Sequence, residues 1–277
     1  MSWIGNQLRM AGVFVEDSQA RLLAAVRNGN MVRPSPLQGP WKGCPGPYAD
    51  PAAYFEVFDD FVGLAIDDST GNPTDWVFTG DVAAMVVLQS SQLGGVVRIT
   101  ADDAATNNGT TISKTGEPFA IVQNSGKKLW YGARVKSTVG TEDKQLLAFG
   151  LAGAGLDQDV MTDTTGALAD SKDFVGFNIL ATASELIACS YKTASIAVVS
   201  QTAITDHLDA WHVFNLVFDG VISVQPWVDG VKLGTVIDVS ATAFPEVGLT
   251  PYFGIKVVGT AADEIVDVDW VRCVQLR

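Results

Sequence analysis

The 277-residue chain is apolar and acidic: 47% of its residues are hydrophobic, 18% are charged, and the formal net charge is −13. This composition allows a sizeable buried core and excludes a largely disordered chain. The negative charge argues against nucleic acid and acidic membranes as partners, because binding to phosphates depends on Lys and Arg. All-β sandwiches of roughly 200–250 residues form one core, so a single large domain with an extension fits this length.

The targeting and redox signals favour synthesis and assembly in a reducing cytoplasm. The opening MSWIGNQLRM has no apolar run followed by a small-residue cleavage site, so we expect no secretory leader. The longest apolar run, Val82–Leu88, is too short to span a bilayer. The cysteines are odd in number and lack zinc-site spacing, which predicts free thiols, two of them in the core. They are Cys44, Cys189 and Cys273.

Residues 1–54 are predicted to form an N-terminal arm. Ser18 is placed to cap a short helix over Gln19–Arg27, and Gly29 follows the end of that helix. Six prolines then fall within eighteen residues, which predicts an extended, semi-rigid connector without regular strand pairing. They are Pro34, Pro36, Pro40, Pro45, Pro47 and Pro51.

The arm carries the residues predicted to contact a partner. Residues 1–50 hold five Lys and Arg side chains against three carboxylates, a net charge of +2 that leaves −15 on the remainder. A basic arm suits an acidic surface such as a sister subunit, although the charges are equally compatible with ordinary solvation. The aromatic residues of the arm need a surface to pack on, either a partner or the sandwich of the same chain. The candidate partner contacts are Trp3, Arg9, Arg27, Arg33 and Trp41.

Residues 55–277 read as short β-rich runs separated by turn residues, which predicts an antiparallel β-sandwich. A polar segment, Asp157–Asp173, is predicted to be its longest loop. Two Asp-Gly pairs, 219–220 and 229–230, predict a meander with type I′ turns near the C-terminus. The predicted strands include Val96–Thr100, Thr110–Ser113, Leu129–Ser137, Gln145–Leu151, Trp211–Phe218, Val221–Val228, Val231–Val239 and the closing Ile265–Val274.

Three motifs carry a resemblance to a known fold family. WHVFNLVFDG at 211–220, WVDG at 227–230 and VDVDWV at 266–271 resemble the concanavalin A-like jelly rolls, which include laminin-G-type and lectin-type domains. The resemblance implies an all-β, antiparallel jelly-roll β-sandwich over residues 55–277, preceded by the extended arm with its short helix. FDDF at 58–61 and WYGARV at 130–135 look most similar to bacteriophage head-decoration and related virion proteins.

The resemblance to virion proteins implies a non-enzymatic structural role as a capsid decoration or cement protein, bound to the head through the arm. The expected partners are the major capsid protein and further copies of the chain in a cyclic homo-oligomer, with a trimer favoured. The expected location is the capsid surface, after assembly in the host cytoplasm. No catalytic residue, metal ligand or cofactor is assigned, and neither nucleic acid nor a membrane is expected as a partner.

Two other functions stay open because sandwiches of this family host several kinds of activity. A carbohydrate-binding module of a phage tail or receptor-binding protein would use Trp or Tyr as stacking platforms, with Trp76, Trp130, Trp227 and Trp270 as candidates. A glycoside hydrolase would need paired carboxylates, for which Asp267 and Asp269 on the last strand are the best candidates, with Glu264 nearby. The E-x-D-x-E pattern that the resemblance implies for such enzymes is missing, so this is the weakest alternative.

Although no cofactor is assigned, the sequence leaves open that the protein binds calcium, because lectin-like sandwiches often hold it through loop carboxylates. Two clusters without EF-hand spacing could serve, although Asp and Asn are also ordinary turn residues. His207 and His212 lack the spacing of a helical zinc site and are interpreted as ordinary loop and strand residues. The clusters are Asp102, Asp103, Asn107 and Asn108, and Asp157, Asp159 and Asp163.

Overall fold

The computed structural model confirms an antiparallel β-sandwich. The predicted helix Gln19–Arg27 lies outside the described residues, as does the loop Asp157–Asp173 apart from its last residue. The described part contains one short 3-10 turn, Pro51–Ala53, and no helix long and apolar enough to cross a membrane. The described residues are 39–46, 49–62, 75–80, 85–89, 95–101, 109–138, 145–153, 173–179, 187–193, 196–204, 209–257 and 264–277.

One layer is a nine-stranded sheet in the order β13-β12-β11-β6-β16-β4-β3, with β14 beside β12. The 13-residue β16 pairs with β6, and it also pairs with β4 near its start and with β1 near its end. The strands are β1 (Tyr54–Asp59), β3 (Met85–Gln89), β4 (Val96–Ala101), β6 (Leu129–Thr138), β11 (His212–Phe218), β12 (Ser223–Val228), β13 (Val231–Lys232), β14 (Ile237–Asp238) and β16 (Glu264–Leu276).

The other layer is a seven-stranded sheet in the order β10-β9-β8-β7-β15-β5-β2. Strands that follow each other in the chain often lie in different layers: β4 and β5 do so, as do β6 and β7. The strands are β2 (Trp76–Gly80), β5 (Gly109–Lys114), β7 (Gln145–Ala152), β8 (Phe174–Ile179), β9 (Ile187–Thr193), β10 (Ile196–Ile204) and β15 (Thr250–Val257).

The main core lies between the two sheets and is rich in phenylalanine. Alternate residues of each strand point inward, so that Leu129 and Tyr131 of β6 reach the core. The rings of Phe149 and Phe214, from opposite sheets, meet edge to face with centroids 4.8 Å apart. Phe177 packs against Phe214 at 5.0 Å. Contacts of this kind across the sandwich contribute through both buried area and ring geometry.

The predicted C-terminal meander is confirmed, but only one of its two turns is of the predicted type. Asp229 and Gly230 have φ values of 49° and 77°, as a type I′ turn requires. At the other turn only Gly220 has a positive φ, 84°. The Asp219 carboxylate accepts the N–H groups of the residues that follow, including Val221, and this opens the turn into a longer connection.

The predicted third strand of the meander, Val231–Val239, is broken into the two-residue strands β13 and β14. Both pair with β12, but with opposite ends of it. Pro226 lies between those ends and has no N–H to donate to the ladder. Its carbonyl still accepts a bond from the Leu233 N–H at 3.0 Å. The interruption therefore follows from a proline inside β12.

Candidate functional site

The outer face of the nine-stranded sheet carries a second buried cluster, separate from the main core. Trp130 of β6 and Trp270 of β16 belong to it together with Val274. Trp130 is 1% exposed and Trp270 is 5% exposed, although both lie on the side of the sheet away from the core. Large aromatic side chains on an outer face become buried only when another segment covers them.

Trp41 of the arm helps to cover this cluster. Its side chain is 4% exposed and packs against Trp130 and Trp270. Gly132 lets it approach, since a Cβ at that position would lie 2.8 Å from the Trp41 ring. The guanidinium carbon of Arg272 lies 4.7 Å from the centroid of the Trp41 ring, which is a cation–π contact. The described residues around Trp41 are thus fixed to the sheet by a specific side chain.

The backbone around Trp41 forms consecutive turns that we call the arm segment, residues 39–46. The Lys42 N–H donates to the Gly39 carbonyl at 3.2 Å, and the Cys44 N–H donates to the Trp41 carbonyl at 3.1 Å. The Trp130 indole N–H donates to the Lys42 carbonyl at 3.3 Å, which joins the segment to the sheet. The Lys42 side chain is left exposed beside the sheet.

A surface pocket of about 510 Å³ lies where the arm segment meets the sheet. It is an open groove on the surface and not an enclosed cavity. Strands β11, β12 and β13 supply one part of its lining and the arm segment supplies the other. The lining residues are Gly39, Pro40, Lys42, Val217, Gln225, Trp227 and Lys232.

The sheet side of the pocket is held in place by the irregularity at Pro226. The Gln225 side-chain amide donates to the Leu233 carbonyl at 2.7 Å and to the Pro226 carbonyl at 3.0 Å. These bonds join β12 to Leu233, which follows β13. They lie beside Pro226, which has no backbone N–H to donate between the strands. Trp227 pairs directly with Lys232 across β12 and β13, so an indole and an ammonium lie side by side.

Several buried polar atoms on this face lack a hydrogen-bond partner among the described residues. They are the indole nitrogens of Trp41, Trp227 and Trp270 and the side-chain oxygen of Asn215. A buried donor or acceptor left unpaired costs about 1–3 kcal/mol, so such groups are uncommon in stable proteins.

The carboxylates considered for glycoside hydrolysis are instead held in ion pairs. Asp267 is 2% exposed and accepts two hydrogen bonds from Arg98, at 2.7 and 2.9 Å. Its hydrogen bond raises the pKa of the Arg98 guanidinium above the usual value, despite the opposing effect of burial. Lys136 lies 3.1 Å from the same carboxylate, and Asp269 pairs with Arg134 at 2.5 Å. These contacts occupy both carboxylates.

A β-bulge in β16 includes the second of those two carboxylates. The register with β6 shifts between Val268 and Trp270, which leaves Asp269 in the bulge. Asp267 and Asp269 nevertheless contact Lys136 and Arg134, which are two residues apart on β6, so both carboxylates lie on the same side of the sheet, as alternation predicted. Glu264, the third candidate, is fully buried.

Of the predicted partner contacts, only Trp41 lies among the described residues. It packs on the sandwich of its own chain, which was one of the two alternatives for the arm's aromatic residues. The assignment of these residues to a partner interface stays a prediction. Those outside the described residues are Trp3, Arg9, Arg27 and Arg33.

The four tryptophans considered as sugar platforms occupy different environments. Trp76 is in the main core beside Phe61, while Trp130 and Trp270 are buried under Trp41. Only Trp227 is both half-buried and part of the pocket lining. The structure thus singles out one of the four as available to a ligand.

The remaining candidates from the sequence are the two histidines and the two aspartate-rich clusters. His212 Nδ1 lies at hydrogen-bond distance, 2.7 Å, from the Asp229 carboxylate, which also accepts the Val213 N–H at 2.8 Å. His207 and both aspartate-rich clusters considered for calcium lie outside the described residues. Within the described residues no group of three or more His, Cys, Asp or Glu side chains is arranged to hold a metal ion.

The sequence analysis missed Lys42, Gln225 and Lys232 as site residues. Alternation along β12 places Gln225 and Trp227 on one face, so that pair could have been recognised. Lys42 could not, because the contact between the arm segment and this face depends on the tertiary packing of Trp41.

No protein-family model and no curated protein matches the sequence. Solved structures match the fold. An endo-1,3-beta-glucanase from Streptomyces sioyaensis is 16% identical, with 82% of this chain and 98% of that chain covered and a TM-score of 0.54. An endo-beta-1,4-glucuronan lyase from the fungus Trichoderma reesei is 11% identical, with 78% and 94% covered and a TM-score of 0.54. The Emp47p carbohydrate recognition domain is 10% identical, with 81% and 98% covered and a TM-score of 0.50.

These likenesses confirm the concanavalin A-like jelly roll, and at such low identity they show the fold alone. The finer resemblance to phage decoration proteins stays a prediction. The expectation of a non-enzymatic protein was wrong as an inference from this fold. The matching structures include a glucanase and a lyase, so the sandwich is one that supports enzymes.

Proposed function

We propose that this protein binds a carbohydrate in the pocket between the arm segment and the outer face of the nine-stranded sheet. The observation that carries the proposal is the lining, in which an indole, an amide and two ammonium groups surround one space. Sugar rings present apolar C–H faces and polar hydroxyl edges. A site that combines an aromatic plane with a few placed polar groups suits both surfaces.

Each part of the lining has a role in this proposal. Trp227 offers an indole to the face of a sugar ring, with Val217 and Pro40 as the apolar surface beside it. Gln225 is fixed by its two bonds to backbone carbonyls, so it loses little further conformational freedom when a ligand binds. The fold is compatible with the proposal, because it is shared with a carbohydrate recognition domain and with carbohydrate-acting enzymes.

The test is the affinity of the full chain and of Trp227→Ala for a panel of soluble glycans, measured by calorimetry. The panel contains a neutral β-glucan, a uronate polymer and a sulfated polysaccharide. We expect Trp227→Ala to weaken binding by about tenfold to a hundredfold, the effect of removing a central aromatic contact. Circular dichroism and a melting curve establish that the variant is folded.

Phe58→Ala is the matched control, because it removes an exposed aromatic side chain from strand β1 of the same sheet, and Phe58 does not line the pocket. We expect this variant to bind like the unaltered chain. Absence of binding to every glycan in the panel, or equal affinity of the Trp227→Ala variant and the unaltered chain, would show that the proposal is wrong.

A further inference from the structure

The charge of the pocket lining is opposite to that of the whole chain. The protein carries a formal charge of −13, yet the charged residues of the lining are Lys42 and Lys232, with no carboxylate among the lining residues. Both ammonium-bearing side chains are exposed. They come from different elements, one from the arm segment and one from β13. A local excess of positive charge in an acidic protein needs a reason.

Three charged groups on neighbouring elements already have hydrogen-bond or ion-pair partners. Arg272, beside Trp41, pairs with Glu56 at 2.7 Å. Asp229, which begins the turn before β13, contacts His212 at 2.7 Å. Asp238 of β14 accepts two hydrogen bonds from the backbone and side chain of Ser240.

The two lining lysines differ from these neighbours. In the part of the chain that the structure describes, no ion pair involves Lys42 or Lys232. Their charges are therefore available to a ligand, and each ammonium offers three donors on a long stem that can adjust to an anionic group. Trp227 lies directly opposite Lys232 and lines the same pocket as Lys42.

We propose that the pocket selects a negatively charged carbohydrate, whose carboxylate or sulfate groups are bound by Lys42 and Lys232. This inference rests on the carbohydrate-binding function proposed above. It makes the arm segment a part of the site, because Lys42 supplies one of the two charges. A neutral glucan would meet the indole but would leave both ammonium groups without an anionic partner.

The experiment compares the full chain with Lys42→Gln/Lys232→Gln, using polyglucuronate, a sulfated dextran and neutral laminarin as probes. We expect the unaltered chain to bind an anionic probe at least tenfold more tightly than laminarin, and the double variant to lose at least tenfold in that affinity. Preference for polyglucuronate identifies the carboxylate as the ligand group, and preference for sulfated dextran identifies the sulfate. Lys42→Arg/Lys232→Arg retains the charge and should restore most of the affinity.

Lys127→Gln/Lys128→Gln is the matched control, since it removes the same charge from two exposed lysines that do not line the pocket. An equal loss of affinity in this control would show general electrostatic attraction and overturn the inference. Binding of laminarin that depends on Trp227 but not on the two lysines would overturn it as well, while leaving the proposed function intact. If no probe binds, both proposals fail.

Discussion

Asp219 shows how a single carboxylate replaces a tight turn. It accepts the N–H groups of Val221, Ile222 and Ser223 and the Ser223 hydroxyl, at 2.7 to 3.1 Å. Burial alone would raise the pKa of Asp219, but these hydrogen bonds outweigh it and hold the pKa below its usual value. The ionised carboxylate therefore stabilises the connection between β11 and β12.

Asp219→Asn should lower the free energy of unfolding by about 1–2 kcal/mol at neutral pH, because the amide oxygen still accepts the N–H groups but the negative charge that strengthens these bonds is removed. The pKa of Asp219 is lower in the folded than in the unfolded chain. Its contribution is therefore present above the unfolded pKa of about 3.9 and is lost as the pH falls through the folded pKa. Urea unfolding across this pH range should show the difference between variant and unaltered chain shrinking below about pH 4.

Asp60→Asn is the control for this prediction, since its carboxylate accepts one N–H, from Val62, at 3.4 Å. It should change stability little at any pH. A difference for Asp219→Asn that persists undiminished at low pH would contradict the role of the charge.

Trp41 is a residue whose location could not be predicted from the sequence. Its position among prolines left two alternatives, a partner surface or the sandwich of the same chain. The choice depends on Gly132, Trp130 and Trp270, which come from distant parts of the sequence and only the tertiary fold brings them together. By contrast, the turn at Asp229-Gly230 was predictable, because its backbone requirement is local.

At the scale of elements, the arm segment docks as a unit through Trp41. Trp41→Ala should release it, because removing a buried indole from a packed site costs about 3–5 kcal/mol. Cys44 is half-buried in the same cluster and reports this change. We expect its reaction with a thiol reagent to become at least about tenfold faster, as the open state becomes more populated.

Cys189 and Cys273 serve as internal controls, since both are buried and burial raises the pKa of each thiol. Their reactivity should stay low in the Trp41→Ala variant. An unchanged rate for Cys44 would contradict docking through Trp41, and rapid reaction of all three thiols would indicate that the whole sandwich has opened.

Part of the strands was predictable from the sequence, but their arrangement in the sheets was not. Alternation and turn residues located β4, β5, β6, β7 and the meander. β4 and β5 lie in opposite sheets because β4 pairs with β16 and β5 pairs with β15. These partners are distant in the sequence, so local patterns do not predict the pairing. The break between β13 and β14 was not predicted, but Pro226 in the partner strand β12 explains it.

At the scale of the whole molecule, the sandwich brings the arm segment and the meander together to form one pocket. Carbohydrate binding was one of the alternatives inferred from the sequence. The pocket itself could not be predicted, because Lys42 and Lys232 are far apart in the chain. The virion role, with a capsid partner and a cyclic oligomer, stays a prediction. It rests on the resemblance carried by residues 58–61 and 130–135, and of its five candidate contacts only Trp41 lies among the described residues.

The most direct test is a nitrogen–proton NMR spectrum of the indole N–H groups of the full chain, recorded with and without saturating polyglucuronate. The chain has seven tryptophans, and Trp227→Phe and Trp76→Phe assign the two signals that matter. The account predicts that the Trp227 signal shifts on binding while that of Trp76, in the main core, does not. A glycan that binds without moving the Trp227 signal, or a spectrum that does not change at all, would contradict it.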